Sequence, residues 1–224
     1  MDIHKPKAAH SIREFAIEIG TIICGILIAL GLEQVVEAVR VQREVAETRE
    51  ALHAEIADNA MRAKVMIAEN TCAAGARAIV TGWLAGGPRP GMAAHAMMLP
   101  LSSTVWDTAH AKGVAYMPMQ EQLRLAGYYT GIRLYNENEN RRREVGLRYA
   151  SIAMLDRPTP EQAGRLMEDL NGLEIMRTYQ IGNARRALDF AAESKVAPVP
   201  VDTQMRDSIG RYCQQAAMPT PRLD

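Results

Sequence analysis

Phe15-Ala-Ile-Glu-Ile-Gly-Thr-Ile-Ile-Cys-Gly-Ile-Leu-Ile-Ala-Leu-Gly-Leu32 decides the architecture of this chain, because 17 of these 18 residues are uncharged and the only charge is Glu18. At about 1.5 Å per residue, such a helix reaches roughly 27 Å, close to the ~30 Å hydrocarbon thickness of a bilayer. The stretch therefore reads as a membrane-spanning helix. A buried core helix is one rival, since the strictly charge-free run, 19–32, is only 14 residues long. A cleaved signal peptide is another, since Lys5, Lys7 and Arg13 precede an apolar run ending in the small-x-small pattern Ala29-Leu-Gly31. Against the first, no other segment is apolar enough around its whole circumference to bury this helix on every side. Against the second, Glu18 interrupts the apolar region, and the helical pattern runs past Gly31 without a loop signal. An uncleaved anchor over 12–36 is the expectation, preceded by a short tail, 1–11.

Around the anchor, composition narrows the class. Ala alone contributes 34 of 224 residues while aromatics are 5%, which favours helix throughout. Hydrophobic residues at 48% and charged residues at 23% are the proportions of a folded chain. With 26 Lys+Arg against 26 Asp+Glu there is no net charge to drive binding to nucleic acid. Three cysteines do not make a disulfide scaffold, and their spacing matches no zinc pattern.

Ser11-Ile-Arg-Glu14 has capping-box spacing and starts the first helix near Ile12. Three Lys/Arg precede the apolar run and three more follow at Arg40, Arg43 and Arg49; the crowding of the first set against the run favours a cytoplasmic N-terminus and an exported remainder. Beyond the anchor, 37–85 reads as a long stalk or bundle helix, with small or apolar residues at Val35, Val39, Ala46, Ile56, Ala60, Ala63, Ile67, Cys72, Ala76, Ile79 and Trp83. Glu33 and Glu37 are placed to pair with Arg40 and Arg43. Gly75 and Gly82 weaken the helix, and Gly86-Gly-Pro-Arg-Pro-Gly91 stops it.

Residues 86–104 form a Gly/Pro/Met-rich linker or a loop packed on the bundle, and 105–195 a helical ectodomain. Ser102-Ser-Thr104 offers N-caps for a short helix reaching about Lys112 and ended by Gly113. Pro118 suits the first turn of the next helix. That helix places Leu125, Tyr128, Tyr129, Ile132 and Tyr135, then a polar gap, then Val145, Tyr149, Ile152 and Leu155 on one face, with Glu137/Arg141 and Glu139/Arg143 as i,i+4 pairs across the gap. Thr159-Pro-Glu-Gln162 combines an N-cap, Pro at N1 and a capping-box Gln. The helix it opens runs to about Lys195, and a Pro-containing segment, 196–224, carries a last short helix from about Asp202 to Ala216. Short connections favour antiparallel neighbours, so the fold class is all-α: a transmembrane helix continuing into a long helix packed with an antiparallel bundle or hairpin.

Arg13-Glu14-Phe15, Gly25-Ile-Leu-Ile-Ala-Leu30 and Gln34, with Trp106-Asp-Thr-Ala109, Gly113, Met117-Pro118 and Leu123 to Tyr128-Tyr129 further on, resemble a widespread bacterial family of small single-pass membrane proteins with no assigned function. The resemblance covers about half the chain. It implies an anchored helical ectodomain and, with the crowding of basic residues ahead of the apolar run, a bacterial inner-membrane placement with the C-terminal domain periplasmic.

Candidate functional residues are few. Thr21, Gly25 and Ala29 recur every four positions beside Ala16 and Gly20, a stripe that lets helix backbones approach closely in lipid, toward a second copy or a larger membrane complex. Glu18 is costly inside lipid unless paired, neutral or at headgroup depth. Cys72 and Cys213 are available to form a disulfide in an oxidising compartment, the alternative being two half-buried thiols; Cys24 is a small apolar residue of the anchor. Arg141-Arg-Arg143 is offset by Glu137, Glu139 and Glu144 and reads as a solvated face. Trp106, Tyr116, Tyr128 and Tyr129 are expected in the core, with a ligand pocket between helices as the alternative. His53, His95 and His110 have no second ligand at helical spacing, and no nucleotide, hydrolase or metalloprotease signature occurs. The expectation is a non-catalytic scaffold, accessory subunit or self-associating spacer, without cofactor or metal; the alternative is a sensory bundle that binds a small molecule and signals through a partner.

Overall fold

The computed structural model describes residues 12–90, 99–109, 113–155 and 157–223. Ser11, Lys5, Lys7, His95, His110 and Lys112, and with them the first capping box and the tail, lie outside the described residues. Helices α1 (Ile12–Leu84), α2 (Thr104–Ala109), α3 (Met119–Ala153), α4 (Pro160–Glu193) and α5 (Thr203–Gln215) are joined by loops and one 3₁₀ turn, Gly113–Tyr116. Among the described residues there is no strand. The chain divides into two compact units, Met1–Glu47 and Thr48–Asp224, with the boundary inside α1.

In the first unit every residue from 12 to 40 is exposed except the half-exposed Gly20. Ile22, Ile26, Leu27, Ile28, Leu32 and Val36 stand 54–68% exposed, and these positions fall all round the helix. An 18-residue window here is long and apolar enough to cross a membrane, and none of it is buried. Within the described residues of its own unit the segment is uncovered, unlike the helix that the core-helix alternative requires. The hydroxyl of Thr21 donates to the Ile17 carbonyl at 2.9 Å, which satisfies it within the helix, as an apolar surrounding requires. Past the apolar stretch, Arg40 pairs with Glu37, but Arg43 reaches forward to Glu47 instead of back to the earlier glutamates.

The second unit is built on the later part of α1. Leu52, Ile56, Ala60, Ala63, Met66, Ala76, Val80 and Trp83 keep helical spacing and are buried. Val65, Ala68 and Cys72 are buried on a second side, so this length of α1 is covered from two directions. Ile67 and Ile79, expected on the stripe, are only half-buried, and Val35, Val39 and Ala46 are exposed. The positions that complete the buried register are polar: Glu55, Asn59, Glu69 and Asn70.

α1 passes through Gly75 and Gly82 unbroken. Gly75 has a packing reason: a Cβ there would lie 2.1 Å from the Ala216 carbonyl oxygen and 2.6 Å from Met218 Cγ. Gly86, at φ +99°, ends the helix as expected, with the Gly87 amide returning to the Gly82 carbonyl. The 99–102 segment then packs on the bundle: Leu101 is buried and the Asn59 amide brackets Ser102, accepting from its N–H and donating to its carbonyl.

α3 and α4 form the expected hairpin. Pro118 is the N-cap residue of α3 and so stands just before its first turn. Thr159 and Gln162 make both reciprocal bonds of the capping box that starts α4. α4 ends without glycine: Lys195 adopts φ 57°, and the Val196 amide reaches back to the Ala191 carbonyl. Asp202 caps α5 through the Met205 amide. α5 is laid against α1 by Met61, Val65, Cys72 and Ala76 facing Ile209, Tyr212 and Cys213, and a disulfide joins Cys72 to Cys213. Such a link closes 141 residues of chain and by loop entropy stabilises by about 2–5 kcal/mol.

Candidate functional site

Two constellations are buried in the second unit. In the first, the Glu55 carboxylate accepts from four donors: Ser102 Oγ at 2.7 Å, the Val105 amide at 2.9 Å, the Trp106 amide at 3.4 Å and the Tyr129 hydroxyl at 2.7 Å. A carboxylate from α1 thus caps the start of α2, where amides and helix dipole favour negative charge. Ser103, one of the N-cap candidates, donates its hydroxyl to Asp107 on the exposed side. Above Glu55, Trp106 stacks on Tyr129 at 4.9 Å, Tyr128 meets Tyr129 edge-on at 4.9 Å and Phe190 stacks on Tyr128 at 4.3 Å. Burial pushes the Tyr129 phenol up, and the bond to Glu55 adds to the rise; burial also raises Tyr128 and Tyr135.

Three of the four aromatics singled out in the sequence thus come together as packed core, joined by Phe190. Tyr116 does not: it is 55% exposed. It ends the 3₁₀ turn, whose three-residue period carries Val114 and Met117 inward and Tyr116 outward.

The second constellation borders a cavity of about 340 Å³ between α1, α3 and α4, with Tyr212 of α5 at its edge. Val80, Val145, Tyr149, Leu166, Leu170 and Leu173 give it apolar walls. Its charged lining is Arg77, Arg142, Arg143 and Arg177 against Glu174 alone. Arg142 is the clearest departure from the sequence reading. It pairs with Glu139 at 2.6 Å, so Glu139 faces i+3 and not Arg143, and its side chain is only 16% exposed instead of solvated. Burial works against the Arg142 charge, but the hydrogen bond and charge of Glu139 outweigh it and hold its pKa above the ordinary value. Gln180 of α4 donates to the same Glu139 carboxylate at 2.5 Å. The inward side of the polar gap of α3, Glu139 and Arg142, is therefore a network with Gln180, on-period between Tyr135 and Val145. Arg177 donates to the Asn70 carbonyl at 3.1 Å and pairs with Glu174, and its Nε is buried without a hydrogen-bond partner among the described residues. Burial raises the Tyr212 phenol to about 12.

Of the remaining candidates, Ala16, Gly20, Thr21, Gly25 and Ala29 lie on the first unit's helix, and a Cβ on Gly20 or Gly25 would meet nothing within 4 Å. Glu18 is exposed, as is Cys24. Among the described residues no three His, Cys, Asp or Glu side chains gather as metal ligands, and His53 is exposed. The sequence reading missed Glu55, Glu139, Gln180 and Phe190. The signal available for the first three was their place in the helical register: Glu55 beside Ile56, Glu139 four after Tyr135, Gln180 four before Ala184. No family profile, curated protein or solved structure matches this chain.

Proposed function

We propose that this chain is a non-catalytic, single-pass membrane protein whose helical unit, 48–224, serves as a scaffold or accessory subunit for a partner, either a second copy or a larger membrane complex. The observation that carries the reading is the exposed 19–32 stretch, free of charge and apolar all round, which in water would leave a large greasy surface open. The resemblance to single-pass bacterial membrane proteins supports an inner-membrane placement, and the basic residues ahead of the anchor support a cytoplasmic N-terminus. The Cys72–Cys213 bridge supports an exported second unit, since such bonds persist in oxidising compartments. Open space beside Gly20 and Gly25 supports helix-to-helix packing in lipid.

Blue-native electrophoresis after mild extraction tests the association. The expected result is a species larger than the 24.7 kDa chain that dissociates in Gly25→Leu. A monomer indifferent to that substitution would contradict it. The second reading, a ligand-binding bundle, is favoured by the cavity between α1, α3 and α4.

A further inference from the structure

From the cavity's walls and charges we infer that the second unit binds an anionic amphiphile: an acidic head group carrying one acyl chain. A volume of about 340 Å³ falls at the small end of the ~300–1,000 Å³ range of small-molecule sites, suited to one chain and not two. The walls come from three helices and are aliphatic or aromatic over most of their area, so an apolar body gains by entering. The charged groups are not balanced: four guanidinium groups line the space against a single carboxylate. Arg142 is already neutralised by Glu139 and Arg177 by Glu174, so those two shape the field more than they offer an open charge. Arg77 is bonded to Asn171 at 2.7 Å and lies 4.0 Å from Glu174, which it shares with Arg177. Arg143 is exposed and makes no ion pair among the described residues. An acidic head between Arg143, Arg77 and the Nε–H of Arg177 would meet charge-assisted donors, while its chain lay against Val80, Leu166 and Leu170. A cationic amphiphile would meet repulsion, and a neutral one would leave the guanidinium groups beside it without return.

The inference goes beyond the anchoring role and holds whether or not segment 12–40 crosses lipid. Free long-chain carboxylates and single-chain phospholipids share the required chemistry, and the experiment separates them. Trp83 packs with Val80, Tyr149 and Leu166, three residues of the cavity wall, and so reports on it. The full-length protein, in nanodiscs of zwitterionic lipid, is titrated with a chain-brominated fatty acid, a brominated lysophosphatidate and a brominated alkyltrimethylammonium of equal length while indole quenching is followed. Saturable quenching by one or both anions is expected, with the ammonium about tenfold weaker or more, the discrimination a charged hydrogen bond supplies. The stronger anion identifies the source as free acid or phospholipid. Gly146→Leu projects a side chain from a wall position where a Cβ meets nothing within 4 Å, and should abolish saturation without unfolding the helix. Arg143→Glu, on the exposed rim, should weaken the anions about tenfold and leave the ammonium no weaker. Equal quenching by anion and cation, or quenching unchanged in Gly146→Leu, overturns the inference. Whether the protein migrates with the discs is read separately and bears only on the anchor.

Discussion

One helix, α1, has two stretches of opposite character. Over 12–40 it exposes Ile, Leu and Val on every side, whereas between Leu52 and Trp83 it buries Glu55, Asn59, Glu69 and Asn70 among its apolar residues. A helix that shows its apolar side chains and one that hides its polar ones are each the wrong way round for water alone. The first would suit a surrounding that cannot hydrogen-bond, where backbone and hydroxyl groups must be satisfied within the helix, as Thr21 is, and Glu18 must be paired, neutral or at headgroup depth. The second is matched to a surrounding that hydrogen-bonds at defined points, so its carboxylates and amides specify where loops and neighbouring helices sit. Apolar content carries the first and polar register the second.

The largest effect on the polar register is expected from Glu55→Ala. It would leave the Tyr129 hydroxyl and the Trp106 amide buried without this acceptor and take it from the half-buried Ser102 Oγ and Val105 amide, and a loss of about 3–5 kcal/mol is expected in denaturant unfolding. Glu55→Gln, which keeps one carbonyl acceptor, should lose less. An equal effect of the two would show that packing, not the carboxylate, is what matters there. A matched pair of glycines sharpens the comparison next. Gly75→Ala forces the Ala216 backbone away and should destabilise by about 1–3 kcal/mol, whereas Gly82→Ala meets no atom within 4 Å and should stabilise by up to about 1 kcal/mol. Thermal melts of the two variants would separate a helix-propensity effect, equal in both, from close packing, opposite in sign.

High pH distinguishes the units without mutation. All seven tyrosines belong to the second unit, and burial raises Tyr128, Tyr129, Tyr135 and Tyr212. A phenol whose folded pKa exceeds its unfolded value of about 10 contributes stability that is complete below pH ~10 and is lost as pH rises toward the folded value. Stability of the 48–224 unit should therefore hold to pH ~10 and fall beyond it, with tyrosinate absorbance lagging that of free tyrosine until unfolding; the helix of 12–40, without tyrosine, should persist. Tyrosinate absorbance rising along the free-tyrosine curve would show the phenols accessible. The smallest effect is expected at the α4 terminus, where Lys195→Gly relieves a left-handed backbone at φ 57° and should stabilise by roughly 1 kcal/mol. Chemical denaturation at neutral pH would measure it, and an unchanged midpoint would mean that the lysine costs nothing there.

Features set by a few adjacent residues were legible in the sequence. The Thr159–Gln162 capping box, the stop at Gly86 and the α3–α4 hairpin follow from local rules, as does the uncovered apolar stretch, whose residues have only to be uncharged. The buried polar groups were not read, because their charge argues for solvent although Glu139 and Arg142 keep the register of Tyr135 and Val145; what permits Glu139 to be buried includes Gln180, 41 residues away. Tyr116 was misplaced because the sequence put no helix between Gly113 and Pro118, where the backbone makes a 3₁₀ turn that carries it outward. The cavity depends on side chains from three helices meeting imperfectly, which no single stretch encodes.

Flotation of vesicles on a density gradient, with carbonate washing, decides whether the apolar stretch of α1 enters lipid. The full-length chain should float and resist the wash, Ile23→Glu/Ile26→Lys should lose that resistance since each charge costs about 2.5–3.5 kcal/mol at the centre of a bilayer, and the 48–224 unit should stay at the bottom of the gradient. A full-length chain recovered in the soluble fraction, or a 48–224 fragment that floats equally well, would contradict the account.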